Sequence, residues 1–250
     1  MRIFLLNKKS LAFTIGGFFA IACLTLIFFQ VISLKSASVP AQAIYQGNSG
    51  QKIVAICVNV DWGEEYLPDM LEKFKKHKVR VTFFVTGQWA EKNPELVKQM
   101  NEAGHSIQNH GYKHLHFNQL SSPQIKEQIM KTEKIVEQLT GKKTIYFASP
   151  YGEYNNNLIS TVNEINYSLI MWSIDTVDWE LPSADTIVKR VMNKMHNDAI
   201  ILMHPTKPTL EALPDLLTQI EKQGYQMQTL DKIIIPSNDS GQDENEKADS

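Results

Sequence analysis

The sequence predicts an α/β fold on a parallel sheet, and two observations carry the prediction. Between Lys52 and Ile235, seven short apolar runs alternate with longer amphipathic stretches. That is the pattern of strands joined by crossover helices. The polar residues of the runs gather at their C-terminal ends: Asn59 and Asp61, Thr86, His110, Ser149, Asp175 and Asp178, and His204. Closed barrels and open doubly wound sheets both place their sites at that end. Because residues from at least five runs converge on one mouth, the barrel is favoured.

The first run, "KIVAICVNV", is continuously apolar and β-branched, as a strand buried on both faces should be. "EEYLPDMLEKFKKHK" follows as a helix, then the strand "RVTFFVTG". In "NPELVKQMNEAG", Asn93 can cap and Pro94 suits the first helical position. "HSIQNH" is a short third strand. "SSPQIKEQIMKTEKIVEQLTG" is a long helix stopped by Gly141. Three further strand–helix units start at "TIYFASP", "YSLIMWSID" and "AIILMHP", and "QMQTLDKIII" is the seventh strand-like run.

The flanks differ in kind. Residues 11–34 form a 24-residue stretch without a charge, longer than the roughly 20 residues that span a bilayer. Arg2, Lys8 and Lys9 precede it, which keeps residues 1–10 cytoplasmic and sends the rest outward. An uncleaved signal anchor fits its length better than a cleavable leader, whose apolar core is usually about 7–15 residues. The expected product is a single-pass membrane protein, or a secreted one if the chain is cut after "AQA" (residues 41–43). A lipoprotein site at Cys23 is disfavoured by the apolar residues after it. Residues 35–51 read as a linker, 52–235 as one domain, and the acidic residues 236–250 as a disordered tail. Cys23 and Cys57 cannot pair, so the domain folds without a disulfide, and Cys57 reads as a small buried hydrophobe. A net charge of −2 gives no basic footprint for nucleic acid.

"NHGYKHLH", residues 109–116, holds three of the chain's seven histidines. His110 and His114 at this spacing can turn toward one point, and neutral imidazole is a common zinc ligand. Singly, the other polar residues have ordinary readings. Asp61 suits a turn or N-cap, Asp175, Asp178 and Trp179 in "DTVDW" a capped turn, His204 a hydrogen-bonded core, and "SPYGE" a turn. Their order along the strand ends is more specific: an acid, His-x-x-x-His, Pro-Tyr-Gly, Asp-x-x-Asp-Trp, then Leu-Met-His.

That order resembles the polysaccharide deacetylase (NodB homology) family, over about Lys52 to Ile235. The stretches "NVDWGEEYLP", "MWSIDTVDW" and "ILMHPT" look most like its membrane-anchored, sporulation-associated branch. The resemblance implies a deformed (β/α)7 barrel of parallel strands that removes N-acetyl groups from a sugar polymer. It implies a divalent metal, usually zinc, held by one Asp and two His; the two His match His110 and His114, and Asp61, one residue past the Asp position, is the carboxylate available as the third ligand. The metal activates a water, an Asp serves as base, and a His matched by His204 protonates the leaving amine. An Asp beside the motif Trp, matched by Asp178, tunes that His, because a carboxylate favours the charged ring. His204, Asp178, Asp175 and Asp61 are therefore the expected catalytic residues. Tyr151, Trp179 and Leu202 are the expected substrate contacts, with Trp179 walling the sugar groove and Leu202 lining the acetyl pocket.

Two motifs depart from the family. Its first motif is Thr-Phe-Asp-Asp, and here "CVNVDWG" puts Asn59 at the base and Val60 at the metal ligand, with Asp61 one residue on. One carboxylate is left for two jobs, unless His116 or a water completes the metal shell. The third motif, Arg-Pro-Pro-Tyr-Gly, reads "ASPYG", so Ala148 replaces the Arg that holds the base. The sequence thus predicts a metal-dependent deacetylase of a cell-wall glycan, peptidoglycan first, with a weakened site. The alternatives are a domain that binds glycan or a wall or spore partner without hydrolysis, and an amidase for a small-molecule amide.

Overall fold

The computed structural model describes residues 42–235. The expected anchor, the cytoplasmic N-terminus and the acidic tail lie outside the described residues, and among the described ones no helix is long and apolar enough to cross a membrane. The sheet is a curled parallel half-barrel. Its strands are β1 (Ile53–Val60), β2 (Thr82–Val85), β3 (Ser106–Asn109), β4 (Tyr146–Ala148), β5 (Ser168–Ile170), β6 (Ile174–Asp175), β7 (Ile200–Met203) and β8 (Gln226–Gln228). The order is β5-β4-β3-β2-β1-β7-β6, with β8 beside the start of β1.

β1 is central and shows how the pattern works. Val54, Ile56, Val58 and Val60 face a layer of helices and pack with Phe74, Val97 and Leu213. Ala55 and Cys57 face inward with Phe84, Tyr146 and Ile200. Strand alternation therefore carries Asn59 into the inner row and Val60 into the outer one. Cys57 is buried and unpaired, and burial pushes its thiol well up, so it is chemically quiet.

The helices are α1 (Leu67–Lys76), α2 (Gly87–Lys92), α3 (Pro94–Glu102), α4 (Ser122–Thr140), α5 (Asn156–Glu164), α6 (Ala184–Met192) and α7 (Lys207–Lys222). Gly141 ends α4 in the left-handed conformation at φ 72°, as expected of a glycine stop. Asn93 does not cap α3; its amide donates to the Trp89 carbonyl instead.

Two expectations are corrected. The single run "YSLIMWSID" breaks into β5 and β6, which stand at opposite edges of the half-barrel: β5 pairs with β4, and β6 with β7. The residues between them cross the seam. The end of the stretch read as a linker is also part of the fold. Ile44 bridges Ile170, donating to Leu169 O and accepting from Met171 N, and Gln46 bridges Ala199. Unpaired edge groups at the seam supply the reason, because they need partners.

His105, just before β3, is structural. Its Nδ1 accepts the Val81 N–H at 3.1 Å, and Phe74 and Phe83 meet the ring edge-on. Burial, helped by the charge of Arg80, lowers it from 6.5 to about 4. The unfolded chain takes up a proton on this ring between those values and the folded chain does not. The neutral ring's contribution is therefore complete above about pH 6.5 and is lost as pH falls toward 4, by up to about 3 kcal/mol. Urea midpoints should show His105→Gln losing less stability than the wild type between pH 7 and 4.5. Equal losses would refute this role.

Candidate active site

A cavity of about 470 Å³ opens at the C-terminal ends of the strands, lined by Asn59, Trp62, His110, His114, Tyr151, Gly152, Trp172, Asp175, Trp179, Leu202 and His204. Every expected strand end delivers at least one residue except that of β2, whose Thr86 does not line the cavity.

Its most ordered half is built on Asp178 and His204. Asp178 is wholly buried. One of its oxygens accepts from His204 Nδ1 at 2.8 Å, and the other accepts from His204 N at 2.6 Å and from the Thr209 hydroxyl. This fixes the imidazole with Nδ1 as donor and Nε2 toward the open side, the orientation a general acid needs when the ring is charged. Trp62 stacks parallel on the His204 ring, centroids 6.2 Å apart.

The histidine pair sits across the cavity. Gly111, at φ 80°, turns the chain after β3, and His110 and His114 come to a centroid distance of 5.2 Å. His110 Nδ1 lies 2.8 Å from the Ala148 carbonyl. A carbonyl only accepts, so Nδ1 carries the proton and Nε2 keeps its lone pair. Burial pushes His110 down to about 3, and the neighbouring His114 ring works in the same direction. Burial also lowers His114, against the pull of the Asp61 charge. Both rings are neutral near pH 7, the form that binds metal.

The third ligand is where the site departs from expectation. Strand β1 ends at Val60, and Asp61 follows in a bend. Its Oδ1 accepts from the Thr86 hydroxyl at 2.6 Å, and it is not among the cavity-lining residues. Among the described residues no three His, Cys, Asp or Glu side chains come together as a metal set. The expected trio Asp61, His110 and His114 is thus corrected to a histidine pair with a nearby, diverted carboxylate. The residues fit two of the three metal positions and not the full set. His116 does not complete it. It stacks on Tyr151 at 4.1 Å and pairs with Glu153 at 3.0 Å.

Asn59, next to the end of β1, lines the cavity. It is 5 % exposed, and its Oδ1 has no hydrogen-bond partner. A buried, unmatched acceptor is costly in a native fold and is found where function needs it or where a ligand or water matches it. Asp175, expected to be catalytic, holds structure as well. Its oxygens accept from Val177 N at 2.8 Å and from Trp172 Nε1 at 3.1 Å, which locks the indole into the wall.

Three of the cavity's lining residues are apolar or aromatic side chains named from the sequence, Tyr151, Trp179 and Leu202. Trp179 and Tyr151 are 56 % and 59 % exposed at the rim, and Leu202 closes the floor. Sequence reasoning did not single out Trp62 and Trp172. The signal was an aromatic placed two residues past a strand end. Gly152 explains the Tyr-Gly pair: its φ is +66°, and a Cβ there would lie 2.5 Å from Trp172.

Comparisons with known proteins agree with this arrangement. The family profile described as Polysaccharide deacetylase matches residues 46–170. Uncharacterized protein YlxY of Bacillus subtilis (strain 168) is 40% identical over 202 residues, 81% of this chain and 63% of that protein. A peptidoglycan-N-acetylglucosamine deacetylase of Bacillus cereus is 35% identical over 178 residues, 69% of this chain and 65% of that protein. The chain thus spans less than two thirds of the length of either relative. Among solved structures, wild-type BA3943 of Bacillus anthracis, a CE4 family pseudoenzyme, aligns at TM-score 0.75 and 39% identity over 78% of this chain and 69% of that one. A BA3943 mutant with restored enzymatic activity aligns at TM-score 0.75 and 37% identity, over 78% and 72% of the two chains. By fold, strand-end motifs and sequence, the chain belongs to the polysaccharide deacetylase family.

Proposed function

We propose that this domain binds an N-acetylated glycan of the cell envelope, peptidoglycan first, and that its hydrolytic step is largely disabled. The observation that carries the reading is Asn59. A buried amide with an unmatched oxygen lines the cavity, at the sequence position where the family resemblance expects a carboxylate base. An amide cannot take a proton from water near neutral pH. Around it the sugar-facing surface is intact. Trp62, Tyr151 and Trp179 offer flat apolar faces, and Leu202 with Trp172 offers an apolar pocket for a methyl group. Likeness to a family 4 pseudoenzyme supports the same reading. The charge-free segment at residues 11–34 supports placing this domain outside the membrane as an anchored protein.

A second reading is slow metal-dependent deacetylation, with zinc as the expected metal. It is favoured by the two neutral histidines and by the Asp178–His204 pair, which preserves a general acid. In that case the lost base slows the reaction by about 10²–10⁴-fold.

The test is to measure binding of N-acetylglucosamine oligomers and purified peptidoglycan, bound metal, and acetate release. Wild type is compared with Trp179→Ala, His110→Ala, His204→Ala and Asp61→Ala. The binding reading expects glycan binding weakened several-fold or more by Trp179→Ala, kept in the other three, and no acetate. Acetate that appears with added zinc and vanishes in His110→Ala would establish the second reading. Absence of glycan binding would sink the first.

A further inference from the structure

A second cavity, of about 380 Å³, lies at the other end of the sheet, where β3 and β4 begin and β8 ends, and it shares no lining residue with the first. Its walls carry Arg80, Lys142, Lys143 and Lys232 against one carboxylate, Asp231. Lys232 is 3.2 Å from Asp231, which accounts for that pair. Lys142 donates to the neutral Asn101 amide oxygen at 3.1 Å. Arg80 and Lys143 meet no carboxylate at ion-pair distance among the described residues.

The polar groups in this cavity are arranged to donate. His105 lines it and is 4 % exposed. Since its Nδ1 accepts from Val81, the neutral ring carries its proton on Nε2, and that N–H has no partner among the described residues. Ser106 Oγ already accepts from Gln108 at 3.0 Å, so its hydroxyl proton is left to donate. The Gln108 oxygen is taken by the N–H groups of Ile145 and Tyr146. Gly104 leaves room for the guanidinium, because a Cβ there would come to 3.1 Å from Arg80 Nε. A guanidinium fork, an ammonium, an imidazole N–H and a hydroxyl, with the nearby acceptors consumed, match a tetrahedral oxyanion.

We propose that this cavity is a phosphate site. The phosphate comes either from a phosphodiester polymer or from free inorganic phosphate, and the cavity volume, well above that of one ion, favours the polymer. The domain then holds glycan at one end of its sheet and a phosphate polymer at the other.

The test uses the full chain, titrated separately with inorganic phosphate and with poly(glycerol phosphate). Calorimetry gives affinity, and the His105 ring resonances report the location. Both probes should shift His105, with the polymer tighter. Replacing Arg80→Gln and Lys143→Gln together should weaken binding by roughly 10–100-fold, the usual worth of a charged hydrogen-bonded contact. Binding of N-acetylglucosamine oligomers should not change. Inorganic phosphate that binds through these residues as tightly, per phosphate, as the polymer would support the site with the free ion as its ligand. Unshifted His105 with both probes, or equal affinity in the double variant, would overturn the proposal.

Discussion

Asn59→Asp should raise acetate release from N-acetylglucosamine oligomers by about 10²-fold or more, measured with zinc supplied. The expected range for a positioned general base is roughly 10²–10⁴-fold. Asparagine and aspartate have the same shape, so the new carboxylate would sit where the unmatched Oδ1 now lies, in the cavity wall. Burial there raises a carboxyl pKa and makes it a better base near neutral pH. The gain belongs at the lower end of the range, because Ala148 leaves no arginine to hold the new group. The complementary change, Val60→Asp, is a poor route to the missing metal carboxylate. Val60 is wholly buried in the helix-facing row, and a charge placed there would lack a partner. If folded Asn59→Asp releases no more acetate than wild type, the missing base is not the limiting loss.

Asp178→Ala should lower the thermal midpoint by about 10 °C. The carboxylate is fully buried and accepts from three donors, His204 Nδ1, His204 N and Thr209 Oγ1. Removing it strands those donors in a dry interior. Breaking a buried pair from one side costs about 3–5 kcal/mol, and each kcal/mol moves the midpoint of a domain this size by roughly 2–4 °C. Asp178→Asn keeps the shape and should lose less. Calorimetry of the two variants decides it: a shift below about 3 °C for alanine would mean that water replaces the carboxylate at little cost.

Much of this architecture is visible in the residues themselves because it is local. A strand such as Ile53–Val60 announces itself by apolar β-branched residues, and the site by polar residues at strand ends. The Asp178–His204 pair and the walls Tyr151, Trp179 and Leu202 all reach the cavity or its support. What the residues did not announce depends on distant partners. Helix α2 is six residues long, too short for a period, and it exists because Thr86 caps it by accepting the Trp89 N–H. "YSLIMWSID" carries no Gly or Pro to mark a break, and the two edges it joins decide where it breaks. Asp61 could be a ligand on spacing alone; the Thr86 hydroxyl draws it away. Trp172 is a wall residue because Asp175 holds its indole.

The bridge at Ile44 bears on where the folded unit begins. Likeness to the family starts at residue 46, yet two backbone hydrogen bonds that seal β5 belong to residue 44. A fragment cut at the limit of family likeness would leave Leu169 O and Met171 N uncovered on a bare strand edge. Such an edge is a template for pairing with another molecule. A truncation boundary drawn from sequence likeness should therefore promote self-association, at the cost of only a few missing residues.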